Sequence, residues 1–240
     1  MDHYLKLAAR YDEYYRYSDR YIAYFTDKII KALPVRPGES VVELGAGTCI
    51  FAQEILKRVP YLDMVCVDNS AAMLRSAEHT AIKRVCRDAV CFAAEDTRYH
   101  RVYMKEFIHH LDTAAREELF KGLYRQLYPG GSLLILMEPR RLNYPLFDEA
   151  LRRFEQGQPS RTAIMAQLEH AGFTVSFDVF AYPINLSRQK YTEMVRNRYM
   201  SVLETFTADE LEAGIQSITE GQPETELEYL ESFYGIVGKK

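Results

Sequence analysis

Glu43, Gly45 and Gly47 stand at two-residue intervals directly after the apolar pair Val41-Val42, and Asp68 ends a second apolar run 25 residues beyond Glu43. A glycine straight after a buried strand permits a tight turn and lets a ligand lie against the backbone with no Cβ between them. Open α/β sheets hold ligands in the crevice at the carboxyl ends of their strands. A carboxylate ending the neighbouring strand can accept both hydroxyl hydrogens of a ribose held over those glycines. Asp68 can equally cap the next helix, a role Ser70 fills as well. Asp96, with Thr97, is expected to follow a third strand, where it either reaches the exocyclic amine of an adenine or sits as a solvated loop acid.

Further along, Tyr103-Met104-Lys105-Glu106 leads into His109-His110. Imidazole titrates around neutrality, so these histidines are the best general-base candidates by residue type. Neighbours on a helix point about 100° apart, so at most one of them faces a given pocket. Lys105 and Glu106 at the strand tip either contact a ligand or pair with each other. Arg140 or Arg141 carries a planar fork suited to an acidic or carbonyl-bearing molecule, and a place in a solvated loop suits one of them equally. Arg198 lies in a stretch, with Tyr191, Met194, Val195 and Tyr199, that reads as an amphipathic helix packed on the core or as a lid.

A nicotinamide or flavin dinucleotide fits this loop poorly. Its fingerprint needs a third glycine where Ile50 stands, and the loop carries no Arg or Lys for a pyrophosphate. Four cysteines (Cys49, Cys66, Cys86, Cys91) lack metal-ligand spacing and read as reduced thiols, and the start of the chain lacks a signal-peptide pattern, so a cytoplasmic location is expected. No metal site is expected. A net charge of −4 gives no basic field for a nucleic acid, and no apolar run approaches the roughly 20 residues of a membrane span.

These residues need a scaffold. Of the 240 residues, 48% are hydrophobic and 27% charged, the balance of a globular chain. Two helices are expected in 2–33, then strands at 40–44, 63–67, 89–93, 101–104 and 132–137. Helices at 51–59, 70–85 and 113–127 separate them, and 129–131 reads as a turn. Helices follow at 145–155 and 161–171, a strand at 173–182, a helical stretch at 186–218 and a last strand at 233–237. Strands alternating with helices of 10–15 residues imply a parallel sheet covered on both faces.

With its glycine motif and these elements, the chain resembles the class I S-adenosylmethionine-dependent methyltransferases that act on small molecules, over about residues 38–182 and the last strand. The motif acid-x-Gly-x-Gly-x-Gly is matched at Glu43, Gly45 and Gly47, with Cys49 at the third glycine position. The resemblance implies an α/β Rossmann-like sheet of seven strands, the last pair antiparallel. It implies one domain over 1–240: an N-terminal helical cap (1–36), a cofactor-binding core (38–182), a helical lid insertion (186–226) and a last strand (231–238). It implies S-adenosyl-L-methionine, leaving as S-adenosyl-L-homocysteine, held by Glu43, Gly45, Ala46, Gly47, Asp68, Asn69, Met73, Asp96, Thr97 and Lys105. A small-molecule acceptor, methylated on O or N, would meet Tyr11, Tyr15, Glu106, Arg140, Tyr144 and Arg198, with His109 or His110 as base. The chain is expected to be a monomer or a homodimer. A non-methylating use of the same fold, as regulator or cyclisation catalyst, and methylation of a macromolecule are the alternatives.

Overall fold

A computed structural model describes residue 14 and residues 17–75, 81–222 and 224–240. Seven strands form one sheet in the order β3-β2-β1-β4-β5-β7-β6. β1 (Ser40–Leu44), β2 (Asp63–Asp68), β3 (Ile82–Cys86), β4 (Tyr99–Lys105) and β5 (Leu127–Met137) run parallel, and β7 (Glu226–Lys239) is antiparallel to both β5 and β6 (Thr174–Ser187). The chain winds outward from β1 to β3, then returns to the other side of β1 with β4. That reversal opens a crevice between the carboxyl ends of β1 and β4, the place where such sheets take ligands.

Helices cover both faces. α1 (Asp19–Ala32) starts at Ser18, whose hydroxyl accepts the Tyr21 N–H, and lays Tyr21, Ile22, Phe25 and Ile29 on one face of the sheet together with α2 (Ile50–Arg58) and α6 (Asp148–Gly157). The short α3 (Ala71–Leu74) follows β2. The other face carries α4 (Ala89–Ala93), α5 (Thr113–Gln126) and α7 (Arg161–His170), with Phe92, Phe120, Leu123 and Ile164 in the second core. The central strands are buried on both sides, hence their unbroken apolar runs.

Between β6 and β7 lie α8 (Arg188–Arg196), a 3-10 turn (Ser201–Thr205) and α9 (Ala208–Gly221), the last opened by a capping box of Thr207 and Glu210. These strands are longer than expected, pairing from Thr174↔Lys239 to Ser187↔Glu226, and their far ends carry the insertion.

Three expectations are corrected. The third strand is Ile82–Cys86, not 89–93, which forms the helix α4; Asp88 caps that helix by accepting from the Val90 and Cys91 amides. β3 is an edge strand, open to solvent at Lys83 and Arg84, so it lacks the apolar run of its neighbours. The expected helix 70–85 is replaced, in its described part, by α3 and β3. Finally, 129–131 belongs to β5, where Gly130 donates to the Lys240 carbonyl.

Candidate functional site

The turn after β1 is tied to the end of β2. The Ala46 N–H donates to the Val67 carbonyl at 3.1 Å, and the Gly47 N–H donates to Asp68 Oδ2 at 2.9 Å. Asp68 Oδ1 accepts from Ser70 at 2.8 Å. Each carboxylate oxygen has a second lone pair left for a ligand hydroxyl. Gly45 and Gly47 hold φ of +65° and +53°, and a Cβ on Gly45 would meet the Phe107 ring at 2.4 Å. Cys49, at the third glycine position, takes the same left-handed conformation with φ 59°.

A cavity of about 510 Å³ opens over this turn, within the size range of small-ligand sites. Gly45, Gly47, Asp68, Asn69, Met73 and Lys105 all line it, as expected from the sequence. Glu43 and Ala46 do not. Glu43 is buried beneath the turn, beside Tyr103, and accepts the Cys66 thiol at 3.7 Å; burial raises its carboxyl to about 8, so it is a neutral support for the turn rather than a ligand group. The Ala46 side chain joins the first core cluster.

Asp96 and Thr97 lie elsewhere, lining a separate hollow with Arg98, Tyr124 and Lys240 near the start of β4. The third strand ends one element earlier than expected, so Asp88 and Ala89 occupy the wall where Asp96 was placed. Asp88 was missed for that reason alone.

At the end of β4, Lys105 is buried and ion-paired with Glu106. Its ammonium stands 4.3 Å from the Phe233 ring centre and 5.5–5.8 Å from those of Tyr21, Phe25 and Phe51. Glu106 has a left-handed φ of 53° and is held by its N–H to the Leu136 carbonyl at 2.9 Å. Such strain in a non-glycine residue concentrates at functional sites. Glu106 borders two spaces: the larger cavity and a smaller chamber of about 30 Å³.

Glu138, Tyr144, Tyr199 and Glu231 help to line that chamber. The adjacent histidines diverge, His109 facing the chamber and His110 the larger cavity, with ring centres 4.0 Å apart. Burial, with His110 beside it, drives His109 down to about 3, which keeps it neutral and makes it a weak base. Burial first, then the charges of Glu106 and Glu231, raises Glu138 well above the carboxylate range.

Of the residues expected at an acceptor, Glu106 and Tyr144 line this chamber, whereas Tyr11 and Tyr15 lie outside the described residues. Arg140 donates to the Glu155 carbonyl on the surface, and Arg198 donates to the Leu203 and Phe206 carbonyls, so neither lines the chamber. Glu231 was missed. Its signal was a carboxylate at an inward position of the alternation Leu227, Tyr229, Glu231, Phe233.

Residues 41–131 match a family model described as a methyltransferase domain. Phosphoethanolamine N-methyltransferase 2 of Caenorhabditis elegans is 28% identical over 118 residues, which is 46% of this chain and 26% of that protein. Phosphoethanolamine N-methyltransferase 2 of Haemonchus contortus, solved with phosphomonomethylethanolamine and S-adenosylhomocysteine, superposes with a TM-score of 0.56 at 21% identity over 90% of this chain and 52% of that one. A putative methyltransferase from an antibiotic biosynthesis pathway of Anabaena variabilis gives 0.65 at 17% identity, over 90% of this chain and 96% of that one. The fold is therefore that of the class I methyltransferases. This chain spans about half of the Haemonchus protein and a quarter of the Caenorhabditis one.

Proposed function

We propose that this chain is an S-adenosylmethionine-dependent methyltransferase acting on a small molecule. One observation carries the reading: Glu106 lines both a nucleoside-sized cavity, floored by Gly45, Gly47 and Asp68, and a smaller chamber bordered by acidic side chains and phenols. A donor and an acceptor thus have adjoining spaces, one on each side of a single residue.

The residues fit the donor. Asp68 keeps a lone pair on each oxygen for the ribose hydroxyls. Asn69, Met73 and Ala89 wall the end suited to a flat base. Gly45 leaves room for the Phe107 ring, which lines the same cavity. The sulfonium brings its own activated methyl group, so the chain must chiefly align acceptor and donor and exclude water. The insertion between β6 and β7 serves the second task, setting Tyr199, Met200 and Ser201 as a wall of the chamber. Among the described residues no group of three or more His, Cys, Asp or Glu is arranged to hold a metal ion, and no helix is long and apolar enough to cross a membrane. All four cysteines are free thiols, which supports a reducing compartment such as the cytoplasm.

Calorimetric titration with S-adenosylmethionine tests the reading. Saturable binding is expected, weakened at least tenfold by Asp68→Ala. Absence of heat, together with an unchanged melting temperature, refutes it.

A further inference from the structure

Among the described residues, the lining of the smaller chamber carries the acidic groups of Glu106, Glu138 and Glu231 and no cationic side chain. Lys105 stands nearby, committed to Glu106. The Tyr144 hydroxyl donates to Glu138 Oε1 at 2.9 Å and lies 3.4 Å from Glu231 Oε1. A phenol has one proton, so Glu138 takes the better bond. Glu231 Oε2 is left buried, in a residue only 2% exposed, with no hydrogen-bond partner. The Tyr21 phenol lies close enough to favour the charged form of Glu231 but makes no bond of ordinary geometry to that oxygen. A buried carboxylate oxygen without a donor is costly. Beside a cavity, it marks where a donor from outside the chain belongs.

Three kinds of donor are conceivable. A metal ion is disfavoured, because these carboxylates do not form a group able to hold one. Water or a neutral alcohol supplies a proton but leaves the charge uncompensated. An ammonium supplies both, and the rings of Tyr17, Tyr144 and Tyr199 around the chamber suit a cation. The space, about 30 Å³, admits a head group of very few atoms and no aromatic ring. A phosphate here would face the Glu106 and Glu231 carboxylates beside the neutral carboxyl of Glu138.

We propose that the chamber receives the protonated nitrogen of a small aliphatic amine, which donates to Glu231 Oε2 and is the methyl acceptor. This rests on the methyltransferase reading above. Glu231 takes one proton from the ammonium, freeing a lone pair on nitrogen. That pair forms the N–C bond as the C–S bond breaks and its electrons pass to sulfur. The positive charge of the sulfonium ends on the methylated ammonium, and the proton on Glu231 leaves to water.

Glu231 is set for this exchange. Burial raises its carboxyl most, Lys105 opposes that, and Glu106 adds to it, leaving it at about 7, where a base for neutral-pH chemistry belongs. Facing it are Tyr17 ahead of α1, Tyr21 from α1, Lys105 at the end of β4 and Glu106 just after it, Glu138 beyond β5, and Tyr144 and Tyr229. His109 stays neutral throughout this range.

The test uses the full chain saturated with S-adenosylhomocysteine, titrated calorimetrically with methylammonium, ethanolamine, phosphoethanolamine, glycerol and magnesium chloride. The two unphosphorylated amines are expected to bind, and to do so ~10–100-fold more weakly in Glu231→Gln. The same variant should keep its affinity for S-adenosylhomocysteine within about threefold, and its melting temperature should not fall, since it loses a buried charge. With S-adenosylmethionine, mass spectrometry should find the methyl group on nitrogen, and the pH dependence of kcat/KM should lose its rise near 7 in Glu231→Gln. Failure of both amines to bind the loaded protein, tighter binding of phosphoethanolamine, glycerol or magnesium, or amine binding unchanged in Glu231→Gln each overturns the proposal. If S-adenosylhomocysteine itself does not bind, the methyltransferase reading falls instead.

Discussion

Asp68 Oδ2 accepts the Gly47 N–H at 2.9 Å, so the carboxylate that faces the cavity also fixes the turn forming its floor. One side chain therefore couples loop shape to ligand binding. Asp68→Ala removes the bonds to both Gly47 and Ser70 and leaves two amides unpaired. The expected cost is about 1–3 kcal/mol of stability, a drop of several degrees in Tm. Affinity for S-adenosylmethionine should fall by ~10–100-fold, from the lost ligand bonds and the loosened turn together. Asp68→Asn, which keeps one carbonyl oxygen, should be milder in Tm than in affinity. Calorimetry and thermal melts on the two variants separate the effects; equal losses in both would show that Asp68 only braces the turn.

Gly45 is constrained twice, by a φ of +65° and by the Phe107 ring 2.4 Å from where a Cβ would stand. Gly45→Ala should cost about 2–4 kcal/mol, combining backbone strain and overpacking. The double variant Gly45→Ala with Phe107→Ala relieves the clash and leaves the dihedral strain. It should recover part of the cofactor affinity relative to Gly45→Ala alone. Recovery of nothing would place the whole effect in the backbone, and the ring would have no part in it.

Glu43 and His109 bend the pH–stability curve in opposite directions. Glu43 is raised by burial from 4.5 to about 8, so its neutral form is the folded one. Its contribution is full below about 4.5 and lost as pH rises through 8, with a slope of up to about 1.4 kcal/mol per pH unit. His109 is lowered by burial from 6.5 to about 3, so its contribution is full above 6.5 and lost as pH falls towards 3. Glu43→Gln should flatten the alkaline limb and leave the acid limb alone; His109→Asn should do the reverse. Urea melts at pH 4, 6 and 9 read both. A parallel curve for either variant means that its group does not titrate with folding.

The parts legible in the sequence are those set by burial on both sides. Val41-Val42, Met64–Val67 and Leu133–Leu136 are continuous apolar runs, and each is a central strand. The glycine turn and Asp68 follow from β1 and β2, so Gly45, Gly47, Asp68, Asn69 and Met73 could be placed from local order alone. Edge elements gave no such run. Ile82-Lys83-Arg84-Val85 buries only part of one face, while the apolar Ala89–Ala93 lies on a helix too short to show its period. That one exchange carried Asp96 and Thr97 to the wrong end of the sheet. The chamber was hidden for another reason. Glu138 and Glu231 are 93 residues apart in the chain, and only the antiparallel return of β7 beside β5 brings them to one hydroxyl.

Arg198 illustrates a side chain whose type suggested a ligand and whose place makes it a brace. It holds a left-handed φ of 56° and donates through one nitrogen to the Leu203 and Phe206 carbonyls, at 2.5 and 2.8 Å. Those bonds close the 3-10 turn beside Tyr199, Met200 and Ser201, the outer wall of the chamber. Arg198→Ala keeps the strained dihedral and loses both bonds; Arg198→Gly loses the bonds but releases the strain. Both should raise KM for the acceptor by ~10-fold while the S-adenosylmethionine Kd stays within about twofold, because Asp68 and the glycine turn lie on the far side of Glu106. Arg198→Gly should be the more stable of the two by about 1 kcal/mol. A cofactor affinity that falls together with acceptor KM would mean that the wall and the larger cavity move as one unit, and Arg198 would then brace the whole site rather than the chamber alone.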